Sequence, residues 1–302
     1  MTVWLRAARL VPLAAMVVAA LAGGIPTAAQ GPAASGTGRG AGLKLYVFDG
    51  GILESDPGRY RLTKEDVGET RLSVAAYLIA HPRGVLLWDT GAVPDGEWTP
   101  TGQPVAHRLV LADGAERRVT IRASLASQLA AAGYKAGDVT HLALSHHHWD
   151  HTANANAFAG ATWLTPAIER DAMFVDKPPG SVRPETYSRL RSSKSVVVTA
   201  DEHDVFGDGT VILKQAHGHT PGHQVLYVKL PKTGGVLLSG DLYHYPQERT
   251  MDRYPTFEFN EAQTRAARAS VETFLKRTGA ALWIQHDLTA HAKLKTSPAF
   301  YE

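Results

Sequence analysis

Histidine is unevenly distributed along this chain, and its clusters are the first sign of chemistry. Nine of the 14 histidines in 302 residues lie in segments 146–151 and 217–223 and at His244 and His286. His146 and His148 lie two residues apart where the apolar run 139–144 ends, so a persisting strand would project both imidazoles to one face. Asp150 and His151 follow in a loop that can fold back toward them. Imidazole and carboxylate donors suit Zn²⁺, with Fe, Mn or Co as other candidates, and the competing interpretation is a solvated histidine-rich loop.

Three further segments supply donors for a second metal ion. His219 lies in a loop between two predicted strands, whereas Asp241 and His286 each follow an apolar strand directly. All three therefore lie where loops leave strand ends. Together with the four donors of the first segment they make seven candidate ligands, and a single tetrahedral zinc takes at most four. The sequence therefore predicts a dinuclear site.

Other polar residues near these segments are interpreted as supports rather than ligands. His147 alternates away from its two neighbours on a strand, which predicts a supporting or core position. Asp89 is predicted to hydrogen-bond a ligand histidine, because metal-bound imidazoles usually donate their other N–H to a carboxylate or a carbonyl. His217 and His223 are predicted to orient their loop or to pack beneath the site.

The elements that must position these residues are recognised from apolar runs. Short runs predict strands, and apolar residues that recur four apart and end at a glycine predict helices. The predicted strands are 43–48, 73–80, 85–88, 139–144, 211–215, 225–230, 236–238 and 281–284, and the predicted helices are 124–132 and 261–276. Two similar halves of strands with peripheral helices favour two stacked sheets covered by helices over a doubly wound parallel sheet. The proline-containing stretch 176–195 is predicted to be irregular and could cover a cleft.

The order of the metal donors resembles that of the metallo-β-lactamase superfamily. The matching pattern is His146-x-His148-x-Asp150-His151 followed by His219, Asp241 and His286, and the resemblance spans essentially the whole of residues 43–302. It implies an α/β fold, an αββα sandwich of two mixed β-sheets flanked by helices, with the metals at one edge between the sheets. It also implies one Zn²⁺ on His146, His148 and His219, a second on Asp150, His151 and His286, and Asp241 as the bridge between them.

Within the superfamily, two segments resemble most closely the N-acyl-homoserine lactonase group. They are Gly218-His219-Thr220-Pro221-Gly222-His223 and Trp283-Ile284-Gln285-His286-Asp287. The absence of cysteine separates the chain from those β-lactamases of this fold that use a cysteine ligand. One position departs from the lactonase pattern, because those enzymes commonly have a tyrosine three residues after the bridging aspartate. This chain has His244 there, with Tyr243 one residue earlier, and either side chain is a candidate hydrogen-bond donor to the substrate.

The resemblance implies a hydrolase that opens lactone rings, with N-acyl-homoserine lactones or related lactones as substrates. The expected reaction is attack on the ester carbonyl by a hydroxide that bridges two zinc ions. Asp150 would orient the water or carry its proton to the leaving alkoxide. One alternative is a phosphotriesterase, arylesterase, thioester or β-lactam hydrolase on the same metals, and another is a non-catalytic zinc-binding module. The implied partner is a small lactone or ester, and the oligomeric state is left open, a homodimer included.

The N-terminus and the charge balance bear on location and partners. Arg6 and Arg9 precede a short apolar run, 10–21, and small residues follow at 23–29, which is the layout of a secretory signal peptide. We therefore predict a signal peptide over 1–29, a flexible leader over 30–42, a metallo-hydrolase domain over 43–302, and a periplasmic or secreted enzyme. The alternative is an uncleaved anchor. The formal charge of +2 falls to zero without Arg6 and Arg9, so neither nucleic-acid binding nor stable membrane insertion is expected.

Overall fold

A computed structural model describes Met1 and residues 42–302 of the chain. Residues 2–41, which include nearly all of the predicted signal peptide and leader, lie outside the described residues. Within the described part, no helix is long and apolar enough to cross a membrane.

Short strands and helices alternate along the described residues. The strands are β1 (Lys44–Leu53), β2 (Leu72–His81), β3 (Gly84–Trp88), β4 (Val105–Val110), β5 (Glu116–Ile121), β6 (His141–Ala143), β7 (Thr162–Thr165), β8 (Ser195–Val197), β9 (Glu202–Asp204), β10 (Val211–Gln215), β11 (Gln224–Leu230), β12 (Gly234–Leu238), β13 (Ala281–Trp283) and β14 (Phe300–Tyr301). The α-helices are α1 (Lys64–Val67), α2 (Leu125–Ala131), α3 (Trp149–Thr152), α4 (Ala167–Met173), α5 (Pro246–Thr250), α6 (Glu261–Thr278) and α7 (Leu288–His291).

These strands form two sheets, and both sheets are mixed. The first sheet has the strand order β4-β5-β1-β2-β3-β6-β7-β8, with β14 paired to β1. Its strands from β4 to β3 pair antiparallel, whereas β3, β6, β7 and β8 run parallel. The second sheet has the order β13-β12-β11-β10-β9 and is antiparallel except for the pair β12–β13. The prediction of two mixed sheets is confirmed.

Strand β2 shows where the core lies. Its Tyr77 and Ile79 pack between the two sheets, among apolar side chains from both. Its Leu78 points to the other face and packs with Leu125 and Leu129 of α2. A strand that is buried on both faces has apolar residues at successive positions rather than at every second one. This accounts for the continuous apolar run that β2 shows in the sequence.

Helix α6 covers the outer face of the second sheet. Its apolar stripe packs on β11 and β12, as expected for an amphipathic helix. The side chain of Asn260 caps its start by accepting a hydrogen bond from the Gln263 N–H at 3.1 Å, and Gly279, with φ of +67°, ends it. The helix reaches Thr278 rather than ending at 276. With α2 outside the first sheet and α6 outside the second, the αββα sandwich is complete.

Two parts of the first sheet differ from the prediction. Strand β1 continues beyond 48 through a bulge at Gly50 and Gly51, where Gly51 has φ of +110°. The Asp-Gly-Gly sequence is typical of a turn, but glycine also allows a strand to continue through a bulge. The hairpin β4–β5 is an edge addition whose fully buried apolar residues are Leu109, Val119 and Ile121. This alternation is too sparse to predict two strands.

Candidate metal centre

The first group of predicted ligands lies where β6 ends. His146 and His148 follow β6, and helix α3 starts immediately after His148. The first turn of α3 carries Asp150 and His151 back toward the strand end, and both side chains are buried. The sequence analysis predicted a loop at Asp150 and His151, and the structure has a short helix there instead. This helix brings all four predicted ligands of the segment to one place.

The remaining predicted ligands reach the same edge of the sandwich from the second sheet. His219 lies in the loop between β10 and β11, Asp241 in the turn after β12, and His286 in the loop after β13. Three groups have donor atoms within 4.8 Å of one another, and they are His146, His148, His219 and Asp241; Asp150, His151 and His286; and Asp241, His244 and His286. The structure thus brings the seven predicted ligands together, and it adds His244 beside them.

Asp241 lies between two sets of imidazoles. Its Oδ2 is 3.5 Å from His146 Nε2 and 3.3 Å from His219 Nε2. Its Oδ1 is 3.0 Å from His151 Nε2 and 3.0 Å from His286 Nε2. Each carboxylate oxygen therefore faces a different set, which is the arrangement that a carboxylate needs in order to bridge two cations.

Three buried atoms at this centre that could bind a metal make no hydrogen bond. They are His146 Nε2, His151 Nε2 and Asp241 Oδ1, and the last two lie 3.0 Å apart without hydrogen-bond geometry. Two further nitrogens, His219 Nε2 and His148 Nδ1, lie 3.0 Å apart. Buried polar atoms are costly when left unpaired, and a cation shared by several lone pairs removes that cost. The donor set therefore fits a divalent metal.

The charge states of the donors are set by burial and by one another. Burial and neighbouring imidazoles lower the pKa of His146 and His148 well below the usual value, so both are neutral, as metal-binding imidazoles are. Burial opposes the charged form of His151, but Asp241 and Asp89 raise its pKa well above the usual value. Burial would likewise raise the pKa of Asp241, but the imidazoles hold it well below its usual range. The imidazole of His151 would have to be neutral in order to bind a cation, so metal binding at this residue would be coupled to proton release.

Asp89 supports His151 from behind, and this prediction is confirmed. Its Oδ2 lies 2.9 Å from His151 Nδ1, and its Oδ1 accepts a hydrogen bond from the Ser145 N–H at 2.7 Å. Gln285 donates its Nε2 hydrogen to the same carboxylate at 2.7 Å. Asp89 has φ of +58°, a conformation that residues other than glycine rarely adopt. These hydrogen bonds hold the aspartate there and fix the ring of His151 with Nε2 toward Asp241.

Two other predicted ligand histidines are oriented through their Nδ1 atoms. His286 Nδ1 donates to the carbonyl oxygen of Ser73 at 2.6 Å, and His219 Nδ1 lies 3.0 Å from Glu258 Oε1. Burial would lower the pKa of His219, but Glu258 and Asp241 raise it to about 10. Sequence reasoning missed Glu258, because no motif spacing connects it to the other site residues.

Glu169, in α4, ties together two of the loops that carry ligands. It is buried, and it accepts hydrogen bonds from the His147 N–H at 2.9 Å and the Gly222 N–H at 2.7 Å, and from the Thr220 hydroxyl at 2.9 Å. Its Oε1 also lies 2.6 Å from His147 Nδ1. A Cβ atom at Gly222 would lie 2.6 Å from Glu169 Cβ, so this contact requires glycine. The supporting position of His147 is confirmed, whereas its partner Glu169 has no sequence signal.

His223 holds the backbone of Asp241. Its Nδ1 donates to the Ala216 carbonyl at 3.0 Å, so its Nε2 is free to accept the Asp241 N–H at 3.0 Å. Burial lowers the pKa of His223 to about 4, and the ring is therefore neutral. The prediction that His223 packs beneath the site is confirmed.

The structure separates the two candidates for substrate contact. His244 Nε2 lies 3.1 Å from Asp241 Oδ2, and its Nδ1 lies 3.3 Å from Glu248 Oε2. Tyr243 is buried beneath α6, where its hydroxyl donates to Glu272 at 3.4 Å. Successive side chains in extended backbone point to opposite sides, which explains why only one of the two reaches the site. Tyr243 is therefore not among the residues that line the cleft over the metal donors, and its contact with a substrate stays a prediction.

A narrow cleft opens over the donor cluster. At its base lie His148, Asp150, Asp241, His244 and His286. The other residues that line it are Leu53, Glu54, Ser55, Arg59, Tyr60, Leu72, Arg117, Trp149, Ser181 and Phe257. Ser181 belongs to the irregular stretch 176–195, so that stretch contributes to the cleft wall as the sequence suggested. A small molecule can therefore reach the metal donors through a cleft of mixed polar and apolar lining.

Comparison with known proteins places this site among characterised relatives. The model of the metallo-β-lactamase superfamily matches residues 70–280. The N-acyl homoserine lactonase AttM of Azorhizobium caulinodans is 26% identical over 264 residues, which cover 86% of this chain and 99% of that protein. The N-acyl homoserine lactonase AiiA of Bacillus thuringiensis subsp. kurstaki is 23% identical over 263 residues, covering 85% of this chain and 98% of that protein.

Solved structures share the fold at low sequence identity. An N-acyl homoserine lactone hydrolase with the product N-hexanoyl-L-homoserine at its catalytic metal centre has a TM-score of 0.69 and 19% identity, over 86% of this chain and 99% of that one. AidC, a dizinc quorum-quenching lactonase, has a TM-score of 0.59 and 17% identity, over 86% of this chain and 94% of that one. The family match covers more than half of the chain, and the chain belongs to the metallo-β-lactamase superfamily, as a metal-dependent hydrolase.

Proposed function

We propose that this protein is a lactonase that opens N-acyl-homoserine lactones or related lactones at a pair of zinc ions. The observation that carries the proposal is the position of Asp241, whose two oxygens face different sets of imidazoles. The surrounding donors outnumber those that one tetrahedral zinc accepts. The relatives named N-acyl homoserine lactonase support the substrate class.

The ligand assignment follows from the donor groups. One ion would be held by His146, His148 and His219, the other by Asp150, His151 and His286, with Asp241 shared between them. Imidazole and carboxylate donors favour zinc over metals that prefer oxygen alone. When bound, such ions supply Lewis acidity, which polarises a carbonyl oxygen and lowers the pKa of water to about 7.

Asp150 is placed to move a proton during ring opening. Its carboxylate lines the cleft, with Oδ2 at 3.7 Å from His286 Nε2 and Oδ1 at 3.9 Å from His151 Nε2. A carboxylate in this position accepts a proton from the attacking water and returns it to the leaving alkoxide. A lactone suits this transfer, because its leaving alkoxide remains tethered to the acyl group after the ring opens.

His244 is the donor that this chain presents to a substrate oxygen near Asp241. The His244 ring stacks on that of His286, with 5.4 Å between centroids, and its Nδ1 is backed by Glu248. Arg268 in turn pairs with Glu248 at 3.1 Å. This buried support fixes the ring, with its Nε2 directed at Asp241 Oδ2, 3.1 Å away at the base of the cleft. A hydrogen bond from His244 to the substrate would orient the carbonyl for attack.

A kinetic panel tests the proposal. Zinc-loaded protein is assayed on acyl-homoserine lactones, simple γ- and δ-lactones, thioesters, β-lactams, aryl esters and phosphotriesters. We expect a kcat/KM of roughly 10⁴ M⁻¹s⁻¹ or more on lactones and much lower values on β-lactams. A chelated sample that loses activity and regains it with zinc is the control. The proposal fails if a phosphotriester or an aryl ester exceeds every lactone by more than about tenfold.

A further inference from the structure

The wall of the cleft carries two arginines that form no ion pair among the described residues. Arg59, in the turn Pro57–Tyr60, and Arg117, in β5, line the same cleft as the metal donors. The guanidinium carbon of Arg59 lies 4.4 Å from the ring centroid of Phe257, and Arg117 donates to the backbone carbonyl of Glu116 at 2.9 Å. Among the described residues neither guanidinium forms an ion pair, although Glu54 also lines the cleft.

The alternation of side chains along β5 directs the side chain of Arg117 toward the cleft. Arg117 shares its side of β5 with Val119 and Ile121, which are buried in the cluster that contains Trp149. Arg118, the next residue, lies on the opposite side of the strand and is exposed. The apolar side of β5 thus ends in a positive charge at the cleft.

The charge of Arg59 acts on Arg117 across the cleft. Burial, and then the charge of Arg59, lower the pKa of Arg117, whereas Asp113 and Asp150 act in the opposite direction, and an arginine stays charged at any pH that the protein survives. Both guanidinium groups are half-buried and neither forms an ion pair among the described residues, so they have lost hydration without a close carboxylate in exchange. An anionic group bound between them would offset that cost, and solvent would not do so fully in a cleft lined by Tyr60 and Phe257.

We infer that this cleft selects lactones whose substituent carries a carboxylate, which Arg59 and Arg117 bind while the ring lies at the metal donors. The inference rests on the proposed function and names the substrate class within it. The planar fork of a guanidinium matches a carboxylate through paired hydrogen bonds. A neutral acyl chain in the same place would leave both arginines desolvated and unpaired.

The test uses two lactones that differ in one charge. They are N-succinyl-homoserine lactone and the terminal carboxamide of the same compound, which has nearly the same size. For the zinc-loaded wild type we expect kcat/KM to favour the carboxylate by more than about tenfold, a preference that added salt reduces. In the double variant Arg59→Gln, Arg117→Gln the preference should fall to within about twofold. Arg117→Lys should retain part of it, because the charge remains without the fork.

Arg118→Gln is the matched control, because it removes the same charge from the same strand on the side away from the cleft. Its preference should equal that of the wild type, and thermal unfolding and zinc content should show that all variants are folded and loaded. The inference is overturned if the wild type treats both lactones alike, or if the preference survives the double variant. If neither lactone is opened, the kinetic panel decides the proposed function separately, and calorimetric titration with the two unreacted compounds decides the inference. Tighter binding of the carboxylate that requires Arg117 would then support it, and equal binding would overturn it.

Discussion

At the floor of the cleft, the predicted ligands His151, His219 and His286 are held from behind by buried partners, whereas Arg59 and Arg117 in the wall have no such partner. Asp89, Glu258 and the carbonyl of Ser73 fix the three floor rings. The wall comes from an edge hairpin and a short turn, and its charges are half-buried and open to the cleft. From this difference we propose that the buried residues at the base of the cleft determine the type of reaction, and that the residues of its wall determine the choice of substrate.

The strongest test of the floor is the removal of the carboxylate that faces both imidazole sets. Asp241→Ala should lower the affinity for both ions, whereas His286→Ala should chiefly weaken one. Loss of an outer partner of a metal ligand already costs about 10–100-fold, so loss of this ligand should reduce activity by more than about 100-fold. Metal content of the purified, folded variants is the measurement. A wild type that holds one ion, with Asp241→Ala holding the same ion equally well, contradicts the bridging role.

A smaller effect is expected at His244, the residue that we propose contacts the substrate. His244→Ala should lower kcat/KM on lactones by about 100-fold, because it removes one positioned hydrogen-bond donor, and it should leave the zinc content unchanged. The measurement pairs lactone kinetics with metal analysis. Loss of an ion from this variant would instead make His244 a ligand, which its place in a donor group with Asp241 and His286 permits.

Glu169, which accepts hydrogen bonds from two loops that carry predicted ligands, provides a further test. Glu169→Gln replaces an acceptor-only carboxylate with a group that also carries two donors, which oppose the N–H groups of His147 and Gly222. We expect zinc affinity to fall by about tenfold, mainly at the ion held by His146, His148 and His219. Competition with a chelator measures this affinity. Asp171→Asn, an exposed acid on the same helix, is the matched control and should bind zinc as the wild type does.

The smallest effect is expected from a change at Tyr243, which does not line the cleft. Tyr243→Phe removes only a hydroxyl that contacts Glu272 beneath α6. Lactone kinetics should stay within about twofold of the wild type, because the hydroxyl lies outside the cleft and the ring stays packed beneath α6 without it. A large loss of kcat with normal zinc content and normal thermal stability would show that Tyr243 reaches the substrate. The proposal that His244 alone of the two contacts the substrate would then be wrong.

The sequence predicts the candidate metal ligands well, because each can be recognised from the residues next to it in the chain. His146, His148, Asp150 and His151 lie within one short segment, and the other ligands directly follow apolar strands or lie between two of them, so each could be recognised from its neighbours. Asp89 could be recognised in the same way, at the end of β3. The two-sheet architecture follows from the same apolar runs.

What the sequence does not predict is the set of contacts that only the assembled fold creates. Glu169 and Glu258 contact loops that are 22 and 39 residues away along the chain, and nothing in their local sequence distinguishes them from solvated acids. Arg117 lies in the β4–β5 hairpin, whose sparse apolar pattern is not recognisable as two strands. The choice between His244 and Tyr243 depends on which side of the backbone faces the cleft, and residue type alone does not decide it.

Strand β2, buried on both faces and paired along both edges, has a consequence for how the molecule opens. Its neighbours are β1 and β3, and the carbonyl oxygen of its Ser73 accepts the hydrogen bond that orients His286. We expect its amides to exchange with deuterium only when the whole domain unfolds, and those of the edge hairpin β4–β5 to exchange through local opening. The hairpin that carries Arg117 would then open and close many times while the predicted ligand His286 stays anchored to β2.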